Sequence, residues 1–262
     1  MGSSMINVGC CGFPVRKELY YEKLRVVEIQ QTFYQLPRVA TGERWRAEAP
    51  PQFEFAMKAW QLITHDPSSP TYQKLREVIP PNQKMNYGAF KGTEEVERAW
   101  LRTAAFARTI GANKVIFQTP AKFDPSTTHI KDLKDFFKGS RRDGLIFIWE
   151  PRGAWDPEAV EGLCKELGVV PSMDPFQAPL GEGNLFYVRL HGKTGNRDTY
   201  SDIELKALMK KASSYPEAYV MFNNTSMFDE ACRLARLTGT VDSRKKAEGV
   251  AENSGGKKND QP

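Results

Sequence analysis

The chain has 262 residues, 40% of them hydrophobic, which is enough for a sizeable core. That length fits one α/β barrel of about 250 residues as well as two smaller domains. No apolar run reaches the ~18 residues of a membrane-spanning helix, and "MGSSMINVG" lacks the basic start and apolar stretch of a signal peptide. The opening MGSS reads as an appended start and is set aside from the fold argument. The formal charge is +5. From Val241 onward there are 5 basic and 4 acidic residues, which leaves 32 basic and 28 acidic before it, a surplus of +4 spread over the folded part. So mild a surplus is compatible with an anionic partner without identifying one. The four cysteines, Cys10, Cys11, Cys164 and Cys232, show no paired ligand spacing, and a cytoplasmic protein with free thiols is expected.

In chain order, "INVGCCG" (6–12) predicts the first strand, followed by a short helix near 16–24. "RVVEIQQTFY" (25–34) predicts the second strand, with a helix at 41–49, and "FEFAMKA" (53–59) the third. "NKVIFQ" (113–118), "LIFIWE" (145–150), "VVPSM" (169–173), "FYVRLHG" (186–192) and "AYVMFNN" (218–224) complete eight strands. Helical patterns fill 94–110, 127–138, 156–167, 202–214 and 226–238. Thr93 precedes the acidic first turn of "EEVERAW" as an N-cap, and Gly111 and Gly168 stand where left-handed C-caps belong. Strands alternating with helices imply parallel pairing, because parallel neighbours need long crossovers. Eight such units predict a single (β/α)8 TIM barrel over residues 5–240; the alternative is an open doubly wound sheet. Residues 60–92 form a long proline-rich insertion after the third strand. The tail, 241–262, is polar, poor in apolar residues and expected to be disordered.

The C-terminal ends of the strands carry polar groups. They are Glu28, Lys58, Gln118, Glu150 with Arg152, Asp174, Arg189 with His191, and Asn223 with Asn224. Alternation puts Glu150 with Arg152, and Arg189 with His191, on shared faces. Each has an ordinary explanation alone: a solvated strand end, a structural ion pair, a core histidine, a turn or N-cap asparagine. Charged or amide groups closing seven of eight strands point instead to a site or a paired network, because an unmatched buried charge is costly. Cys10 and Cys11 read as small buried hydrophobes, and Trp149 as packing.

"EIQQTFYQLP", "FAMKAWQLITH", "VIFQTP", "WEPRGAW", "YVRLHG" and "VMFNN" resemble the motifs of the YecE-like family, domain of unknown function seventy-two. "VGCCGFP" and "MDPF" resemble its archaeal branch. The resemblance runs from Ile6 to about Gly239 and implies a TIM barrel without an established reaction. It implies functional positions at Glu28, Tyr34, Lys58, His65, Gln118, Glu150, Arg152, Asp174, Arg189, His191 and Asn223. Thr119 departs from the leucine that many members carry.

The residue types narrow the chemistry. Three carboxylates, Glu28, Glu150 and Asp174, share the mouth with Lys58, Arg152 and Arg189, leaving no net negative charge for a resident metal. No cofactor is expected beyond a transient, substrate-borne Mg²⁺. Paired-carboxylate glycosidase chemistry fits poorly with Gln118 at strand four and Arg189 and His191 at strand seven. Two guanidinium forks and an ammonium suit phosphate or carboxylate, and an imidazole titrating near neutrality can move a proton. Tyr34, Trp60, Tyr87, Trp155 and Tyr200, on loops near the mouth, could stack on a base or sugar. The expected function is a hydrolase of a phosphate ester, a nuclease on single-stranded nucleic acid being one form. Arg152, Arg189 and Lys58 would stabilise charge, and His191 or Glu150 would carry the proton. The alternatives are a non-catalytic nucleic-acid or nucleotide binder, and a carbohydrate or small-acid enzyme. No P-loop, strand-linked GxGxxG or nucleophilic serine motif is present.

Overall fold

The computed structural model describes residues 4–177, 183–192 and 195–239. The expectation for the tail at 241–262 lies outside these residues. Eight strands are present: β1 (Met5–Cys11), β2 (Val26–Ile29), β3 (Glu54–Lys58), β4 (Lys114–Gln118), β5 (Ile146–Glu150), β6 (Val170–Pro171), β7 (Leu185–Leu190) and β8 (Glu217–Phe222). Every pairing is parallel, in the order β6-β5-β4-β3-β2-β1-β8-β7. Neighbours in space are neighbours in sequence except where β1, the first strand, pairs with β8, the last, so the order runs round a barrel without reversal and the doubly wound alternative is excluded. The fold is a nearly closed TIM barrel. Its seam lies between β6 and β7, which approach each other without a hydrogen-bonded ladder.

The helices are α1 (Lys17–Lys23), α2 (Gln31–Tyr34), α3 (Val39–Glu48), α4 (Gln61–Thr64), α5 (Glu94–Ile110), α6 (Thr127–Gly139), α7 (Pro157–Leu167), α8 (Asp202–Ala212) and α9 (Met227–Leu237). Their ends follow the sequence chemistry. Thr93 accepts from the Val96 amide at the start of α5, and Gly111 and Gly168 close α5 and α7 at φ 67° and 60°. Ser201 and Glu204 form a reciprocal capping box on α8.

Two strand expectations are corrected. The run 25–34 is a strand only over Val26–Ile29, because Gln31–Tyr34 turns into α2; the Thr32 hydroxyl bonds the carbonyls of Ile29 and Lys58 and fixes that turn. The run 169–173 shortens to Val170–Pro171, since proline has no N–H to extend the ladder. The insertion 60–92 contains α4 and two 3-10 turns, Pro70–Lys74 and Pro81–Asn86. It is anchored where Phe90, fully buried, meets Phe123 and Phe137 with ring centroids 5.5 and 5.3 Å away. Burying such a side chain contributes about 1.5–3 kcal/mol.

Candidate functional site at the barrel mouth

Alternation along the strands layers the barrel interior. Val26, Ala56, Ile116, Ile148, Tyr187, Tyr219, Met221 and Cys11 form its apolar filling, separate from the larger core between strands and helices. One step further along each strand, on the same face, come Glu28, Lys58, Gln118, Glu150 and Arg189. Because every strand is parallel, these ends share one mouth.

Arg189 is the centre of this layer. Its Nη1 bonds Glu150 Oε2, and its Nη2 lies 3.2 Å from Glu28 Oε1 and 3.1 Å from Gln30 Oε1. Glu28 is wholly buried; Tyr187 donates to its Oε2 at 2.8 Å and Gln30 Nε2 donates to its Oε1. Burial, with Glu28 beside it, pushes the Tyr187 phenol well above its usual range, so it stays a donor. For Glu150 burial alone would raise the carboxyl pKa. Arg189, the hydrogen bond from His191, and Arg152 outweigh burial and hold it well below the usual carboxylate range.

Towards solvent, Glu150 Oε1 meets Arg152 Nη2 at 2.8 Å and His191 Nε2 at 2.9 Å. Arg152 Nη2 is also 2.5 Å from His191 Nε2, while Asn223 Nδ2 faces His191 Nδ1 at 3.0 Å. With Nδ1 accepting from Asn223 Nδ2, the ring proton sits on Nε2 and is donated to Glu150 Oε1; accepting from Arg152 instead would take the other tautomer, whose Nδ1–H would face the Asn223 amide donor. The side chains of Arg152 and His191 are 39% and 28% exposed, against 1% for Arg189, so an anion entering the mouth meets Arg152 and His191 first.

Lys58 lies to one side. Its Nζ donates to Gln118 Oε1 and sits 3.6 Å above the centre of the Phe33 ring. Burial, then the positive charge of Arg189, pulls this amine down to about 7, although Glu150 and Glu28 act in the other direction. His65 packs edge-on against Phe33 at 4.7 Å and bonds the Thr64 hydroxyl through Nδ1. Its own burial and the charge of Lys58 push the imidazole down to about 3, so it is neutral.

Of the residues singled out from sequence, Glu28, Arg189, Glu150, Arg152, His191 and Asn223 form one hydrogen-bonded network, and Lys58 with Gln118 flanks it. The others are held elsewhere. Asp174 caps its own turn, accepting from the Phe176 amide and from Gln177 Nε2, both at 2.9 Å. Asn224 is turned towards Asp198 O and Glu230. Tyr200 is buried, its hydroxyl accepting from the Gly192 amide at 2.9 Å, and Trp155 donates to Phe123 O at 2.7 Å. Trp60 is fully buried with Arg102 over its ring, and Tyr34 carries Lys74 4.4 Å from its ring centre. The departure at Thr119 has a partner, since its hydroxyl accepts from Trp149 Nε1 at 3.3 Å. The Cys10 and Cys11 thiols are buried, and burial pushes Cys10 up to about 12.

Sequence reasoning missed Gln30 and Tyr187. For Tyr187 the signal was available, since it precedes Arg189 by two on β7 and shares its inward face; Gln30 lies past the end of β2 with helical backbone angles, where strand alternation does not place it. It also missed a second polar layer at the opposite end of the barrel. There Lys114 Nζ bonds the Tyr219 hydroxyl at 2.8 Å and lies 3.4 Å from Glu54 and 3.7 Å from Glu217.

Among the described residues no group of three or more His, Cys, Asp or Glu side chains is placed to hold a metal ion, and no helix is long and apolar enough to cross a membrane. No match was found among curated proteins. Among solved structures, the chain is similar to a DUF72 family protein from Enterococcus faecalis, at 19% identity and a TM-score of 0.65, over 90% of this chain and 98% of the other. It is also similar to a xylose isomerase domain containing protein from Salmonella typhimurium (11% identity, TM-score 0.55, 92% and 98% covered). A third similar structure is an AP endonuclease, family 2, from Brucella melitensis (9% identity, TM-score 0.53, 92% and 99% covered). At these identities the likeness concerns the fold alone. A family model described as "Protein of unknown function DUF72" matches residues 15–254. That match takes in every strand from β2 onward and all the polar groups gathered at the mouth, and by it the chain belongs to the DUF72 family.

Proposed function

We propose that this protein is a hydrolase acting on a phosphate ester, with single-stranded nucleic acid or a nucleotide as the substrate class. One observation carries the reading: His191 Nε2 stands between Glu150 Oε1 and Arg152 Nη2, at 2.9 and 2.5 Å. An anion gripped by the Arg152 fork comes within reach of a nitrogen that can give or take a proton, and the low-pKa Glu150 carboxylate stabilises its charged form. The role first expected of Arg189 changes. Its terminal nitrogens are taken by Glu28, Glu150 and Gln30, so it orders the carboxylates, and the charge that meets substrate comes from Arg152. The donor set does not suit a resident divalent ion, because Glu28 and Glu150 are both bound to Arg189; Mg²⁺ would arrive with the substrate. The AP endonuclease-like neighbour is compatible with a nuclease and the xylose isomerase-like neighbour with sugar chemistry, but neither carries the argument. Membership of the YecE-like archaeal branch rests on the sequence motifs, and a cytoplasmic location on the free thiols.

The test is a panel of phosphodiesters, nucleotides and single-stranded oligonucleotides, with and without Mg²⁺, against wild type, Arg152→Lys and His191→Gln. Turnover lost in His191→Gln, with binding weakened in Arg152→Lys, is the expected pattern. Turnover of unphosphorylated sugars alone would overturn it, and salt-dependent binding without turnover would point to a nucleic-acid binder.

A further inference from the structure

We propose that Lys58 forms an imine with an aldehyde whose β-carbon carries a phosphate ester, and that the mouth expels that phosphate by β-elimination. This rests on the phosphate-ester reading above: it keeps that substrate class, narrows it to β-phosphoryl aldehydes, and has the ester bond broken by elimination in place of hydrolysis.

The barrel holds two buried lysines whose surroundings differ. Lys114, at the N-terminal end, has a carboxylate at 3.4 Å, another at 3.7 Å and a phenol at 2.8 Å. That is how a buried ammonium is normally accommodated. Lys58, at the C-terminal end, has no carboxylate within ion-pair distance among the described residues. Its Nζ meets an amide oxygen and an aromatic face, and the nearby Arg189 and Arg152 add positive charge. Such surroundings favour the neutral amine, as the downward shift of Lys58 agrees, and a neutral lysine amine is a nucleophile for carbonyl carbon. Among the described residues the cations in the mouth network besides Lys58 are guanidiniums, and Arg152 is the exposed one, placed to grip a phosphate. His191, part-exposed beside Arg152 at the mouth, supplies the base.

The steps balance without a further reagent. Nζ adds to the aldehyde carbon and water leaves, giving the imine. His191 takes the proton from the α-carbon. That electron pair forms the α,β double bond as the β-carbon–oxygen bond breaks, and phosphate leaves with the bonding pair. Water then hydrolyses the imine, returning the amine and releasing an unsaturated aldehyde, or its keto tautomer where the α-carbon carries a hydroxyl.

Two sources share this chemistry: a free sugar phosphate and an abasic nucleotide within a strand. The probes are glyceraldehyde 3-phosphate and an oligonucleotide with one abasic site, with glyceraldehyde as the unphosphorylated control. Each is incubated with the full chain and sodium cyanoborohydride, which reduces an imine to a stable secondary amine, and the adduct is located by peptide mass mapping. At neutral pH an amine of pKa about 7 is about half free while a surface lysine at about 10.4 is almost wholly protonated, so the free fraction, and with it labelling of Lys58 over any exposed lysine, should be greater by on the order of a thousandfold. Without the reductant, inorganic phosphate or a cleaved strand should appear with a phosphorylated probe, and Lys58→Arg should abolish both adduct and release. The probe that gives the adduct identifies the source. Label spread over lysines according to exposure would overturn the proposal, and so would phosphate release that leaves the intact hydroxy sugar, glyceraldehyde from its 3-phosphate. His191-dependent hydrolysis of simple phosphodiesters without any Lys58 adduct would overturn the imine and leave the phosphate-ester reading standing. The wild-type mapping decides the matter even if Lys58→Arg fails to fold.

Discussion

Arg189 and Glu150 meet across the barrel mouth, one from β7 and the other from β5, with Nη1 bonded to Oε2 and both side chains buried. The two strands share no ladder, since β6 and the open seam lie between them. The ion pair therefore joins the two sides of the seam where backbone hydrogen bonds do not. The same guanidinium reaches Glu28 on β2, so one side chain ties three strands around the mouth.

Glu150→Ala is expected to destabilise the fold as well as the site. It leaves Arg189 with one carboxylate and removes the partner of Arg152 and His191, a loss of about 3–5 kcal/mol or roughly 6–20 °C in Tm. Glu150→Gln gives the pH signature. The carboxyl is depressed in the folded state from its ordinary 4.5, so its contribution is present above about that pH and is lost as pH falls towards the folded value. Stability measured by denaturant from pH 7 to 3 should fall more steeply in wild type than in Glu150→Gln, the two curves converging in acid. Parallel curves would mean that the carboxylate is not held by this network.

Lys58→Met is expected to stabilise. The folded amine has a pKa of about 7 against an ordinary 10.5, so the unfolded chain binds more protons between those values and wild-type stability rises with pH across that window. Below pH 7 the full cost of holding the charged form applies. The charges facing the amine are Arg189 and Arg152, which disfavour its proton, and Glu150 and Glu28, which favour it. Removing the amine should therefore raise stability by about 1–4 kcal/mol near pH 6, and by less near pH 10. Melting curves at the two pH values check this, and a gain independent of pH would assign the effect to packing alone.

The barrel was legible because eight hydrophobic runs alternate with helical periods, and because Thr93, Gly111 and Gly168 mark helix ends by backbone chemistry local to them. The ring of polar strand ends was legible for the same reason, since parallel strands bring their C-terminal ends together. Which of those groups bond one another was not. Asp174 and Asn224 carry the same residue types as the network members, yet turn geometry sends them to their own loop and to Glu230. Tyr187 and Tyr219 looked like strand filling, and only the barrel's curvature shows that they stack at 5.8 Å inside it. Lys114 stands at a strand start, where a lysine reads as solvated, and its burial depends on Glu54 and Glu217 from β3 and β8.

Gly88→Ala is expected to loosen the insertion and disturb His65. Gly88 has φ 81°, its amide bonds Leu62 O at 2.8 Å, and a Cβ there would lie 2.0 Å from the His65 carbonyl oxygen. Ala89 and Phe90 follow at φ 50° and 56°, so the turn has no neighbouring glycine to absorb a shift. Backbone strain and the contact together should cost about 3 kcal/mol. Limited proteolysis should then cut within 66–87 faster than in wild type. An unchanged cleavage rate and Tm would show that the insertion is not pinned at this carbonyl.

Lys114→Met separates the two ends of the barrel. Lys114 is buried against the Tyr219 hydroxyl and Asn113 Oδ1, with Glu54 and Glu217 around it. The substitution leaves Tyr219 able to donate to either glutamate but removes the cation between them, and a cost of about 1–3 kcal/mol is expected. Between this cluster and the mouth lies the barrel's inner layer, where Tyr219, bonded to Lys114, and Tyr187, bonded to Glu28, touch only by stacking their rings at 5.8 Å. Tm should therefore fall while labelling of Lys58 by an aldehyde and reductant stays at the wild-type level. Loss of Lys58 reactivity in a still-folded Lys114→Met protein would mean that the two buried lysines are coupled through the barrel, and the mouth could not then be treated as an independent site.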